Sequence, residues 1–450
     1  MAEQGEGMKH DRTSVELFAG GGGLAMAVHQ AGFRPLLLNE FNAHACATLE
    51  ASATKTLGVD GITRTDDRRP QPPKPGDPAP LYPGDVRELD LSGLSGQVDI
   101  LAGGPPCQPF SAGGVAKGDE DKRNMFPAMF KAVREMQPKA VICENVRGLL
   151  RPSFNDYFEY IQRELSLPFV QRDDSVSWQV HNAELERLLA LRSENDSDDQ
   201  HYRVVKVAVN AADYGVPQVR HRVVLVAFRT DLGVDVDAFE KYVNTPQYSI
   251  DALFRSMRDE DGEYWTRHSY VEEHVKQRVR SSLPAKIDDD DCAPWRTLRD
   301  AVRGFGTSSP SLALPPIDHD VLDRKTEQAA HLGITDHIGW PGARIYKGHT
   351  PNELDRPAKT VKAGVHGVPG GESVMLTDER IRDSNEPSGW RYLHRYMSVR
   401  ETARAMTFPD EWQGSGRRGE KMRQLGNAVP VTLGEFFAKA VADALSSVGH

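Results

Sequence analysis

No stretch of this sequence stays apolar for the roughly 20 residues that a helical membrane span requires, so no membrane partner is expected. Met1 to Asp11 is polar and lacks the apolar segment of a secretory leader, which suits a cytoplasmic chain. Cysteine is scarce. Cys46, Cys107, Cys143 and Cys292 are widely spaced with no CxxC pair, so neither a metal cluster nor a disulfide framework is expected. Positive charge is in deficit, with 55 Lys and Arg against 65 Asp and Glu and a net charge of −10. Evenly spread, that balance would speak against a polyanionic partner. It is not evenly spread. Residues 172–200 hold 8 acids and 3 bases and residues 251–291 hold 11 and 7, whereas 391–423 hold 8 bases and 4 acids. The net charge is therefore almost silent about partners. With 39% hydrophobic and 27% charged residues over 450 positions, the composition is that of a globular chain of two or three domains.

Apolar and glycine patterning predicts strands over 14–18, 35–39, 98–102, 140–143, 203–210 and 222–228. Helices are expected over 24–30, 44–52, 125–136, 183–191, 399–408 and 431–448. This βαβ opening predicts an α/β chain with a parallel, Rossmann-like sheet. The proline-rich, charged stretch 63–83 reads as a solvated loop without a core. From about Thr230 to His394 the pattern is irregular and rich in charge, Gly and Pro, which suggests a second, smaller domain. No internal repeat is visible.

Phe18-Ala19-Gly20-Gly21-Gly22-Gly23-Leu24 follows the first strand, where a glycine turn brings backbone and helix N–H groups to a ligand or simply makes a tight turn. It lacks the GxGxxG spacing of nicotinamide and flavin binders. Glu40 ends the next strand, placed for ribose hydroxyls, and Asp85 is available to an adenine amino group. Phe41 reads either as a stacking partner for the base or as core. S-Adenosyl-L-methionine fits this set better than a pyrophosphate ligand.

The segment Gly103 to Ser111 (GGPPCQPFS) holds three prolines and two glycines around Cys107, after an apolar strand. A rigid loop suits a positioned nucleophile. Cys46 and Cys143 instead read as structural cysteines on apolar faces. Glu144-Asn145-Val146 follows the next strand, placing a carboxylate toward the same cleft or at a helix N-terminus. Gln218-Val219-Arg220-His221-Arg222 spaces two arginines by two, so both face one side, as ligand contacts or as a solvated strand edge.

In this order these segments resemble the DNA (cytosine-5) methyltransferase family. Phe18 to Leu24 is similar to its cofactor motif, Pro106-Cys107-Gln108 to its catalytic loop, Glu144-Asn145-Val146 to its acid motif and Gln218-x-Arg220-x-Arg222 to its base-contacting motif. Arg400-Glu401-x-Ala403-Arg404 with Thr407 to Asp410, then Gln424 to Pro430 (QLGNAVP), extend the likeness to the C-terminus.

The resemblance implies a Rossmann-like S-adenosylmethionine-dependent methyltransferase sheet with a second, smaller target-recognition domain. The expected division is a catalytic and cofactor-binding domain over 12–230, a target-recognition domain over 231–394 and a C-terminal return over 395–450. It implies that the Cys107 thiolate adds at cytosine C6, that Glu144 carries or shares a proton with ring N3 with Asn145 positioning it, and that Arg222 binds O2. Arg220 would support the site or meet phosphate. Phe18, Gly20, Gly22, Gly23, Glu40, Phe41, Asp85, Pro105, Asn427 and Val429 would hold S-adenosyl-L-methionine, and Gln108, Ser111, Gln218, Thr360 and Arg404 would meet double-stranded DNA with the cytosine flipped out. The acidic segments would face away from DNA, with basic residues lining the cleft between domains. A monomeric methylase paired with a cognate restriction endonuclease is expected, with an orphan methylase next. Rival readings are a tRNA cytosine-5 methyltransferase, disfavoured by the large 230–394 segment, and a catalytically inactive DNA-binding paralogue, disfavoured by intact Cys107, Glu144 and Arg222.

Overall fold

The computed structural model describes residues 12–56, 61–106, 124–192, 198, 200–305, 312–317, 322, 330–331, 334–345, 347–363 and 374–450. Cys107, Gln108 and Ser111 lie outside the described residues. The chain divides into two compact units, one of Met1–Val209, His221–Thr245 and Gly434–His450, the other of Asn210–Arg220 and Pro246–Leu433. This division cuts the sequence differently from 12–230, 231–394 and 395–450, because Asn210–Arg220 and most of the C-terminal stretch pack within the second unit.

The first unit is built on an eight-stranded sheet: β1 (Arg12–Leu17), β2 (Phe33–Asn39), β3 (Ile62–Arg64), β4 (Ala79–Tyr82), β5 (Ile100–Gly103), β6 (Ala140–Val146), β7 (Tyr202–Asn210) and β8 (His221–Arg229). Their order is β3-β4-β2-β1-β5-β6-β8-β7, and β8 runs antiparallel to β6 while β1, β2, β3, β4, β5 and β6 pair in parallel. Strands buried on both faces need continuous apolar runs, and Leu36-Leu37-Leu38 and Val223 to Phe228 supply them. One face packs Val15, Leu37, Leu101 and Val141 against the helices α3 (Phe126–Met136) and α4 (Asn155–Ser166). Helix α3 presents Phe126, Met129, Phe130, Val133 and Met136 at helical spacing, and Gln137 stops it in the left-handed conformation at φ 52°.

Several expectations need correction. The 63–83 stretch is not a coreless loop, because Ala79, Leu81 and Tyr82 are buried in β4, which hydrogen-bonds between β2 and β3. Pro80 is tolerated there since the ladder to β3 runs through the Ala79 N–H and the Leu81 carbonyl. β6 runs on through Glu144 and Asn145, so both sit in the strand rather than after it. Helix α4 was not foreseen, and the helix expected over 183–191 begins at Trp178, where Ser177 caps it.

The sheet dictates where a ligand would lie. From β1 the chain moves outward to β2, then returns to β5 on the other side of β1. In open α/β sheets a ligand crevice opens outside the carboxyl ends of strands at such a reversal. The segments after β1, β2 and β5 meet there: Phe18 to Gly23, Glu40 and Gly104 to Pro106.

The second unit contains helices Ile250–Arg258, Glu263–Arg267 and Glu273–Ser281 around Leu253, Met257, Tyr264, Trp265, Val275 and Val279. It also holds strands Val374–Arg382 and Trp390–Tyr396, which pair antiparallel, and helices Leu298–Arg303 and Val399–Ala405, whose Leu298 and Ala405 share a core with Met375 and Met397. The 230–394 stretch is thus more regular than its composition suggests.

Candidate active site

At the end of β1 the backbone turns through left-handed conformations at Phe18 (φ 60°), Gly20 (φ 56°) and Gly22 (φ 88°), and Gly22 caps α1 (Gly23–Gln30). A left-handed phenylalanine is strained, which marks the turn as held by its surroundings. Glu40 is one of the groups that holds it. Its Oε2 accepts the Gly20 N–H at 2.7 Å, and its Oε1 accepts the N–H groups of Phe41 and Asn42 at 2.8 and 2.7 Å. A carboxylate oxygen has two lone pairs, and among the described residues Oε2 uses one of them. Asn39, one residue earlier, donates to the Tyr82 and Gly84 carbonyls at 3.2 and 2.9 Å and so ties β2 to the approach of Asp85. Asp85 caps a short 3-10 turn and pairs with Arg87, whose guanidinium holds its carboxyl below the usual range. Phe41 stands 77% exposed, so it is not core.

Sequence reasoning passed over Glu16. It lies in β1, buried, with Oε2 lacking a hydrogen-bond partner among the described residues. Burial, then the nearby Glu40 charge, pushes its carboxyl well above the usual range. A charged residue in the middle of an apolar strand was the available signal.

Across the sheet, Glu144 in β6 faces Val224 in the β8 register and Arg222 faces Val146. This two-residue offset keeps both side chains on one face and brings Arg222 Nε to 2.7 Å from Glu144 Oε1, with both nearly buried. Arg222 Nη1 also donates to the His221 carbonyl at 2.8 Å. Asn145 reaches to the loop after β5, where its Nδ2 donates to the Pro105 carbonyl at 2.9 Å. A side chain added at Gly104 would come within 3.6 Å of Glu144 Oε2, so the backbone entering the Cys107 segment runs alongside that carboxylate.

Other expected site residues are elsewhere. Arg220 is fully buried in the second unit, donating to the carbonyls of Val361, Gly426 and Ala428 at 3.0, 2.8 and 2.9 Å. A guanidinium so enclosed cannot meet a phosphate. It precedes β8, so the period-two argument that paired it with Arg222 does not apply. Gln218, expected at DNA, is also fully buried, against Met406 Sδ and the Val361 N–H. Arg404, also expected at DNA, is buried, forms a fork with Asp410 and donates to the carbonyls of Ala301, Val302 and Leu312. Thr360 is half-buried and donates its hydroxyl to the Val219 carbonyl. Asn427 is exposed at the end of helix Arg418–Asn427, and Val429 is buried just beyond it.

The profile of the C-5 cytosine-specific DNA methylase family matches residues 78–185 and 193–443. The chain belongs to that family. By that membership it is an S-adenosyl-L-methionine-dependent DNA (cytosine-5) methyltransferase. Among its relatives, the Type II methyltransferase M.NgoMIV of Neisseria gonorrhoeae is 32% identical over 433 residues, covering 96% of this chain and 98% of the relative. The Type II methyltransferase M.PspPI of Psychrobacter sp. (strain TA137) is 29% identical over 441 residues, covering 96% of this chain and 79% of the relative. The crystal structure of a candidate DNA modification methyltransferase encoded within a prophage (E. coli) has the same fold, with a TM-score of 0.52 at 18% identity over 97% of this chain and 100% of that one.

The methylase cofactor suits the donor set at the end of β1. A nucleoside carrying a sulfonium amino acid would bring ribose hydroxyl donors, for which Glu40 Oε2 keeps a lone pair among the described residues, and the glycines of the turn add no side chains there. At Gly22 an added Cβ would lie 3.0 Å from Leu49 Cδ2, so that space is already tight. Among the described residues no helix is long and apolar enough to cross a membrane, and no group of acidic, His and Cys side chains could hold a metal.

Proposed function

We propose that this methylase acts on a cytosine flipped out of a specific duplex sequence, with Cys107 as nucleophile, and serves as the modification partner of a restriction system. The observation that carries the catalytic reading is the Glu144–Arg222 pair beside the backbone that leads into the Cys107 segment. C5 of cytosine is a poor nucleophile. The Cys107 thiolate adds to C6, and the electron pair of the C5–C6 double bond passes into the ring, making C5 enamine-like. Charge that develops at N3 is met by a proton from Glu144, and O2 is met by Arg222. Asn145 acts through Pro105, fixing where the loop leaves β5. When bound, S-adenosyl-L-methionine supplies the electrophilic methyl group. Phe18, Gly20, Gly22, Gly23, Glu40, Phe41, Asp85, Pro105, Asn427 and Val429 are the residues assigned to hold it. After transfer the C5 proton leaves to a base, the Cys107 sulfur departs as the C5–C6 double bond re-forms, and the N3 proton returns to Glu144.

Arg220 is assigned a positioning role, linking the backbone near Val361 to that of Gly426 and Ala428. Target recognition is assigned to residues 231–394, with Thr360 near DNA. The Type II relatives support the restriction-system role, which would pair the enzyme with a cognate endonuclease in the cytoplasm; a monomeric enzyme is proposed beside it.

The test uses labelled S-adenosyl-L-methionine with unmethylated genomic DNA and with tRNA, followed by bisulfite mapping. Label in DNA at one recurring sequence is expected; label in tRNA with DNA untouched would sink the proposal. Cys107→Ala should abolish transfer while cofactor binding, read by equilibrium dialysis, stays intact.

A further inference from the structure

The second unit carries a cavity of about 240 Å³ lined by Gly348, His349, Thr350, Lys359 and Lys362. Nothing in the reaction derived above uses it. Its described walls present two ammonium groups, an imidazole and a hydroxyl, and no carboxylate. That set complements an oxyanion rather than a cation or an apolar group. A water molecule takes up on the order of 30 Å³, so the space admits a tetrahedral anion together with bridging waters.

The stretch that carries the lysines is anchored. The Lys359 N–H donates to Asn352 Oδ1 at 2.7 Å, and buried Asn352 in turn donates to the Val374 carbonyl at 2.9 Å. Lys359 Nζ donates to the Thr350 carbonyl at 2.7 Å and also bonds the Thr350 hydroxyl, which holds the ammonium against the wall. An ammonium has three protons, so one remains for a ligand. Between the two lysines, Thr360 bonds Val219 and the Val361 carbonyl accepts from Arg220. The Lys359 charge and the backbone leading to Lys362 are therefore positioned before any ligand arrives, which limits the ordering cost of binding.

We propose that this cavity is a phosphate subsite that grips one backbone phosphodiester of the duplex. Lys359 and Lys362 act as the cations, and His349 and Thr350 as supporting hydrogen-bond partners. The proposal rests on the reading of the chain as a DNA methylase, for which a phosphodiester is present at every encounter. Such a contact positions the duplex without reading its sequence. Free phosphate shares the chemistry, and the experiment separates the two sources.

Wild-type full-length protein, Lys362→Ala, Lys362→Arg and the double variant Lys359→Ala/Lys362→Ala are titrated with two duplexes. One is an unmethylated genomic fragment; the other is poly(dA)·poly(dT), which contains no cytosine. Affinities are measured between about 50 and 200 mM salt. Lys362→Ala should reduce the slope of log K against log salt by about one, with the same fold-loss on both duplexes. Lys362→Arg should keep the wild-type slope. An unchanged slope in Lys362→Ala overturns the proposal, and so does a loss confined to the cytosine-containing duplex, which is base reading. Inorganic phosphate, matched in ionic strength by chloride, should displace DNA from the wild type. Phosphate binding that leaves DNA affinity untouched marks a small-anion site and overturns the DNA assignment. Circular dichroism and cofactor binding report folding, and the wild-type phosphate competition stands whether or not the double variant folds. A wild type that methylates DNA while Lys362→Ala keeps its slope fails the subsite alone; a wild type that neither binds nor methylates DNA fails the underlying reading.

Discussion

Glu144 and Arg222 form a unit, because each is nearly buried and each would be an uncompensated charge without the other. On the proposed mechanism Glu144→Gln removes the group that shares a proton with ring N3, for which a loss of about 10²- to 10⁴-fold in single-turnover rate is expected. Arg222→Ala should cost a similar amount, since it strips O2 of its partner and leaves the carboxylate misdirected. The double variant should then fall little below either single one, as residues that act together are strongly non-additive. Single-turnover rates at saturating DNA decide this, and a fully multiplicative loss would mean that the two act independently. At this scale the sequence told chemistry apart from location only in part. Glu144 and Arg222 were singled out by their motifs and the structure brings them together, whereas Gln218, Arg220 and Arg404 look alike on paper as polar groups for DNA. Three-dimensional closure buries them among carbonyls and sulfur that come from 100 to 200 residues away in the chain, and no local pattern reports such partners.

The first strand, its glycine turn and the helix after it were readable because each step has a local cause. Val15 and Leu17 at period two mark the strand, glycine permits the left-handed turn, and Gly22 caps the helix. The turn at Gly22 is the step most exposed to substitution. Gly22→Ala puts a side chain at φ 88°, which costs an L-residue about 1–2 kcal/mol, and sets its Cβ 3.0 Å from the movable end of Leu49. The backbone strain should dominate. We expect a lower melting temperature and weaker cofactor binding, measured by differential scanning fluorimetry with and without S-adenosyl-L-methionine; an unchanged cofactor-induced shift would detach this turn from the cofactor. The strand β4 was hidden for the opposite reason. Its neighbours are prolines and charges, and its burial depends on β2 and β3 closing on either side. Pairing between distant strands overrode composition.

Across the whole molecule, net charge proved a poor guide because it counts residues without their partners. The stretch 391–423 carries a local excess of 8 bases over 4 acids, yet Arg395, Arg400 and Arg404 are all buried within the second unit. Arg395 forks onto Glu401 at 2.8 and 2.6 Å, while Glu401 also accepts the Ser398 N–H in a capping box that starts helix Val399–Ala405. Those arginines bond within the fold, so the local charge excess does not measure what the surface offers a polyanion. The same pair makes stability depend on acid. Burial alone would push the Glu401 carboxyl up, but the Arg395 guanidinium and the Ser398 N–H outweigh it and hold it from 4.5 down to about 2. A depressed carboxyl contributes in full above its unfolded value, so this support is complete above about pH 4.5 and fades as pH falls toward 2. Glu401→Gln leaves Arg395 buried without its counter-charge and should destabilise the protein by about 3–5 kcal/mol at pH 7. Urea unfolding of wild type and variant at several pH values should show that gap narrowing below pH 4.5, because protonated wild type comes to resemble the variant. A gap that stays constant from pH 7 to pH 3 would mean that the pair carries no charge-dependent stability.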